Sequence, residues 1–230
     1  DELGGQNQRN YLCSLFSAKY CLKAALDTMK ENEISCGEQE QWERILADGL
    51  AFNRLYDHEL GIYKTYELQE QNAETGRQKH PVQLNPAAFL PFHHKDQFLE
   101  NAYEKRYQLC DGAEKLMFQG WTLPVFLLAS VHMGDRNGLL RGLAEMVPST
   151  NVSEDWLQFY ESSLTCGHPL TPYFVTSHGL YLQALNDAMV SDFWGNLQIG
   201  HACPEEWEGA RFTELYLSDG SKISCNKVKR

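Results

Sequence analysis

The sequence predicts a mainly helical fold of repeated helix pairs, closed by a small β element, and three observations predict it. Apolar residues recur at helical spacing in successive stretches, short polar or glycine-containing breaks separate those stretches, and beyond residue 196 the period shifts toward alternation. The pair rhythm repeats about four times, as in helix pairs arranged in a ring or solenoid.

Leu12, Leu15, Phe16, Tyr20, Leu22, Ala25, Leu26 and Met29 mark a long amphipathic helix from about Asn10 to Glu31. Cys36-Gly37 breaks it, and Trp42, Ile45, Leu46, Leu50 and Phe52 mark a second from about Glu38 to Arg54. A short polar turn between two helices makes an antiparallel hairpin. Leu60 to Tyr66 alternates enough for a short extended piece, and the polar residues from Gln69 to Lys79 read as an active-site loop. Further pairs are expected across Pro86–Pro91 with Asp96–Leu109, and across Trp121–His132 with Asp135–Met146. Glu154–Leu164 is expected to be helical, Thr165–Pro172 a loop, and Ser177–Val190 the last long helix. Leu197, Ile199, Phe212, Leu215, Leu217 and Ile223 then read as short strands around Glu208-Gly209 and Asp219-Gly220 turns. Residues 1–195 therefore form a helical-hairpin segment, and 196–230 a short β segment leaving it.

Composition narrows the function. Hydrophobic residues are 43% and charged residues 22%, which argues against disorder, and no apolar run approaches the length of a membrane helix. The net charge of −11, with no basic patch to offset it, disfavours nucleic acid as a partner. The seven cysteines form no C-x-x-C pair, so they read as core thiols rather than a zinc or redox motif. His93-His94 is adjacent in sequence and poorly suited to share one ion, so no metal and no cofactor are expected. Asn151-Val152-Ser153 is a formal glycosylation triplet.

The most informative stretch runs from Gln78 to Pro91. Lys79, His80, Gln83 and Asn85 offer an ammonium, an imidazole and two amides directly before an apolar run, a mixture suited to neutral, hydroxyl-rich ligands such as sugars. The same residues also suit a plain helix entry, where polar groups cap the first turn. Pro81, Pro86 and Pro91 each bias the preceding residue away from helix, which places the polar groups at the mouth of a short helix.

Four places resemble a known family, the six-hairpin (α/α)6-barrel glycosidases, similar to the C-terminal part of glycoside hydrolase families 65 and 95. Asp1-Glu2 followed by Asn10-Tyr11 resembles the family 65 stretch in which an Asp-Glu pair precedes an Asn-aromatic helix start. Gln78-Lys79-His80 continuing to Leu90-Pro91 resembles a Val-Lys-Gln run ending in Leu-Pro. Gly120-Trp121-Thr122-Leu123 with Met133-Gly134-Asp135 is similar to a family 95 pattern, Gly-Trp-Ser before a helix ending in Gly-Asp. Gly195 to Ile199 and Cys203 to Trp207 resemble the "Leu-Pro-x-x-Trp" exit from the barrel.

The resemblance implies an inverting glycoside hydrolase with Glu2 as general acid and Lys79, His80, Gln83 and Asn85 orienting the sugar. Inversion needs a second group roughly 6.5–9.5 Å from the acid to activate water. Asp187, Asp192 and Glu161 are candidates for that base, and no choice among them follows. Trp121 and Trp194 suit sugar stacking, and His178 suits a ligand contact at the opening of the last helix. Three departures count: His80 stands where family 65 usually has Gln; no serine-rich phosphate site precedes the Gly-Asp helix, which disfavours phosphorolysis; and Thr176-Ser177-His178 stands where family 95 places the Asp that serves as general base. About seven or eight helical segments are visible against the dozen that six hairpins need, and the chain opens on Asp1. An incomplete barrel is therefore expected, as is a substrate that is an oligosaccharide or glycoside, with the rest of the same enzyme or another chain as the protein partner. The alternative is a non-catalytic carbohydrate-binding or structural fragment, and the weaker one a disaccharide phosphorylase.

Overall fold

The computed structural model describes residues 9–68, 82–91, 95–111, 120–148, 151–161 and 171–228. Among them the chain is mainly helical, with seven α-helices and three two-stranded antiparallel sheets. The helices are α1 (Leu12–Glu31), α2 (Gln39–Arg44), α3 (Asn85–Phe89), α4 (Gln97–Asp111), α5 (Thr122–Met133), α6 (Arg136–Glu145) and α7 (Val175–Met189).

The core is organised around α5. Its sequence is apolar on every side, so no face of it suits water, and every residue from Thr122 to His132 is buried. Helices α3, α6 and α7 pack around it, burying Leu84, Ala87, Leu139, Ala184 and Ala188 with Leu123, Phe126, Leu127 and Leu128. Helix α5 ends on Gly134, whose left-handed φ of 76° lets its N–H turn back to the Val131 carbonyl. Asp135 then caps α6 by accepting from Gly138 N at 2.8 Å, and its other oxygen accepts from Tyr103 of α4 at 2.8 Å. The expected tight hairpin between these helices is the observed one.

Two pairs of helices run parallel. Ser177 at the start of α7 donates to Gly120 O just before α5, while His132 and Asp187 meet near the other ends of the same helices. Asn85 at the start of α3 reaches Cys13 at the start of α1, and Pro91 just beyond α3 lies beside the later turns of α1. Helix α1 itself buries only Leu12 and Phe16 of its 20 residues. Those two join Leu55 and Tyr63 in a second, largely aromatic cluster with Phe52, Tyr56 and Phe98.

Two expected helices differ. The one from Glu38 to Arg54 is broken: α2 passes into a π turn at Ile45–Gly49, Leu50 is extended, and Phe52–Arg54 forms a 3-10 turn. Gly49, with its low helix propensity, sits at the break. The stretch from Glu154 to 161 is not helical. Ser153 and Asp155 use their side chains to hold backbone N–H groups of Gln158 and Leu157, and this local bonding competes with a helix. An isolated bridge pairs Val152 with Phe159 instead.

The strands are short. β1 (Tyr56–Asp57) pairs with β2 (Ile62–Tyr63), β3 (Val190–Ser191) with β4 (Gln198–Ile199), and β5 (Phe212–Tyr216) with β6 (Lys222–Cys225) through the Asp219-Gly220 turn. Val190, Cys203, Phe212 and Val228 bury a small core that anchors this closing β element to the end of α7.

Candidate functional site

Polar groups gather where α1 and α3 begin. Thr65 O accepts from Leu12 N at 2.8 Å, and Thr65 Oγ1 accepts from Gln83 Nε2 at 2.9 Å. Asn85 Nδ2 donates to Cys13 Sγ at 3.4 Å. Burial, with Cys13 alongside, pushes the Tyr11 phenol up to about 12, so it stays a neutral hydroxyl. Gln83 is only 1% exposed. Among the described residues, its Oε1 and the Oδ1 of Asn85 are buried without a hydrogen-bond partner. Each such acceptor costs about 1–3 kcal/mol unless something donates to it. Donors of that kind are the hydroxyl of a ligand or an ordered water.

The second group stands where α5 and α7 begin. Trp121 is half-buried at the start of α5, with its indole tilted against Phe89 at 5.9 Å. Phe89 lies on α3, the helix that Asn85 opens, so α3 links the two groups. His178 is half-buried in the first turn of α7 and packs on Phe159 at 3.9 Å. Ser177 ties this turn to Gly120, and Gly120 N donates to Glu161 O at 2.9 Å. Only glycine fits at 120, since a Cβ there would lie 1.9 Å from the Tyr160 carbonyl oxygen.

Glu2, Lys79 and His80, together with His93 and His94, lie outside the described residues. Of the expected site residues that are described, Gln83 and Asn85 stand together at the first group, Trp121 and His178 at the second. Trp194 is not a platform: it is buried, and its indole N–H donates to His132 O at 2.6 Å. Asp192 accepts from the Ser218 backbone and hydroxyl, which ties the β5–β6 turn to the chain after α7. Asp187 accepts from or shares a proton with His132. Glu161 carries no side-chain hydrogen bond among the described residues. Asn151 is fully buried, so the Asn151-Val152-Ser153 triplet has no room for a glycan in this fold.

Sequence reasoning passed over His132, a buried imidazole inside the most apolar helix. Its Nδ1 donates to Ala87 O at 2.6 Å, its Nε2 lies 2.9 Å from Asp187 Oδ2, and its ring stacks on Phe193 at 3.6 Å. The signal was there as a lone histidine in a run that otherwise reads as core. Among the described residues, no cluster of three or more His, Cys, Asp or Glu could hold a metal, and no helix is long and apolar enough to cross a membrane. No protein-family model, no curated protein and no solved structure matches this chain.

Proposed function

We propose that the chain acts on carbohydrate, as part of an α/α-toroid glycoside hydrolase of inverting type. In this reading α1, α3, α5 and α7 are successive inner helices and α2, α4 and α6 their outer partners, a segment of a six-hairpin barrel. Glu2 protonates the leaving glycosidic oxygen while water attacks the anomeric carbon from the opposite face and loses its proton to a base. The products are the free alcohol and a sugar of inverted configuration. Lys79, His80, Gln83 and Asn85 orient the sugar hydroxyls, and Trp121 and His178 flank it.

The pair of buried, unpartnered amide oxygens on Gln83 and Asn85 carries the reading, because sugar hydroxyls are the donors such acceptors lack. Of the three carboxylates considered for the base, Asp187 and Asp192 have structural partners, which leaves Glu161, whose backbone abuts Gly120. That scarcity of bases favours a second reading, a carbohydrate-binding segment without cleavage of its own. A screen of chromogenic glycosides with the wild type and Glu2→Gln separates the two. Turnover abolished by the substitution, with sugar binding retained, supports the hydrolase, and turnover unchanged by it removes Glu2 from the mechanism. Turnover that requires inorganic phosphate would indicate a phosphorylase instead.

A further inference from the structure

A row of packed rings leads from the half-buried His178 through buried Phe159 and half-buried Tyr181 out to the surface at Trp156. Phe159, beneath His178, packs on Tyr181 at 5.7 Å, and Tyr181 packs on Trp156 at 5.5 Å. Trp156 is 38% exposed; Tyr173 is 80% exposed and stands outside the ring contacts, next in sequence to Phe174, whose N–H bonds the Phe159 carbonyl. Trp156 and Tyr173 both adopt left-handed backbone conformations, with φ of 60° and 63°, which bulky side chains rarely tolerate. Such strain persists only where the surroundings dictate it, and here they do. Trp156 N donates to Ser153 O within the turn that Ser153 and Asp155 knit together, and the segment containing Tyr173 is held along 159–161 by Glu161 N to Thr171 O and Phe174 N to Phe159 O.

We propose that the exposed rings of Trp156 and Tyr173, at the outer end of this row, are a binding track for a neutral oligosaccharide, so that the substrate is an extended glycan rather than a small glycoside. The inference rests on the carbohydrate reading above and extends its site along the surface from His178. Aromatic faces stack on the apolar C–H faces of pyranose rings. Charge selects among ligands: residues 151–161 and 171–189 contain no lysine or arginine, while Glu154, Asp155 and Glu161 are acidic. Polyanions, including sulfated glycans, nucleic acids and anionic membranes, are therefore repelled. Leu157 and Val175 are also exposed beside the row, so a second copy of the chain is the occupant that the experiment must separate from a glycan.

The test titrates the 230-residue chain with malto-, cello-, xylo- and laminarihexaose, with their monosaccharides, and with dextran sulfate, for the wild type, Trp156→Ala and Tyr173→Ala. At least one hexasaccharide is expected to bind tenfold or more tightly than its monosaccharide, and each substitution to weaken it about tenfold. Tyr173→Ala keeps the test clean if Trp156→Ala fails to fold, because Tyr173 is mostly in water. The track is overturned if no hexasaccharide binds more tightly than its monosaccharide, if dextran sulfate binds as well, if both variants bind like the wild type, or if the substitutions dissolve a dimer seen by light scattering. Cleavage that persists without track-dependent binding sinks the track and spares the hydrolase. Track-dependent binding without cleavage does the reverse.

Discussion

His132 and Asp187 join α5 to α7 through a 2.9 Å contact near the ends of both helices, and the other ring nitrogen of His132 reaches Ala87 O on α3. A carbonyl only accepts, so Nδ1 carries a proton. A carboxylate also accepts, so the contact is an imidazolium–carboxylate pair, or Asp187 supplies the proton itself. One side chain thereby sets the spacing of three helices at the centre of the core. Replacing it by alanine strands the Asp187 carboxylate and the Ala87 carbonyl and opens a cavity, a loss of about 3–5 kcal/mol. Asp187→Asn keeps an acceptor and costs less, about 1–2 kcal/mol. Urea unfolding of both variants measures this, and a His132→Ala loss below that of Asp187→Asn would show that the imidazole is incidental.

Gly120 is the hinge between the two helix starts that carry Trp121 and His178. A methyl group there meets the Tyr160 carbonyl oxygen at 1.9 Å and its carbon at 2.9 Å, so backbone rather than a flexible side chain must move. Gly120→Ala is expected to cost about 1–3 kcal/mol, or more where the 159–161 segment cannot yield. Because the displaced segment also carries Phe159, against which His178 packs, ligand affinity should fall with stability. Thermal unfolding that matches the wild type would contradict the close approach.

Legibility in the sequence followed where the deciding forces were local. The α5–α6 hairpin was readable because an unbroken apolar run meets Met133-Gly134-Asp135, where glycine and a capping carboxylate punctuate the chain. The closing hairpin was readable from Asp219-Gly220 for the same reason. Residues 154–161 misled because apolar spacing outweighed Ser153 and Asp155, whose side chains capture the backbone that a helix needs. Asp187 read as a candidate base, and Trp194 as a platform, because their partner His132 is 55 and 62 residues away and no periodicity reports such a pairing. For the candidate site, residue types in Gln83 and Asn85 pointed to hydroxylated ligands, but only the fold exposes their unpartnered oxygens. The outward aromatic faces at Trp156 and Tyr173 depend on backbone torsions that letters do not carry.

His201 offers a test by pH. Burial disfavours its charged form and Lys95 and Arg136 nearby add repulsion, so its pKa falls below the ordinary 6.5 although the Val131 carbonyl accepts from its Nε2. Well above that value both folded and unfolded chains hold a neutral ring and the group is silent. As pH falls through about 6.5, the unfolded chain takes up a proton that the folded one resists, so stability drops. His201→Gln retains a donor for the Val131 carbonyl and removes the titration, so it should flatten the stability profile between about pH 7.5 and 5.5. Equal slopes in wild type and variant would place the pH dependence elsewhere.

Gln83 separates a ligand site from a satisfied core amide, because the two make opposite forecasts for Gln83→Leu. If Oε1 waits for a sugar hydroxyl, leucine removes a buried group that has no partner, and the lost donor to Thr65 is roughly offset. Stability then stays within about 1 kcal/mol of the wild type while affinity for the best-binding glycan falls about tenfold, the worth of one or two hydrogen bonds to a neutral ligand. If an ordered water already satisfies Oε1, the substitution strands that water's other partners, costs about 1–3 kcal/mol, and leaves glycan binding alone. Unfolding and binding measured on the same preparation decide between them, since only the ligand reading moves affinity without moving stability.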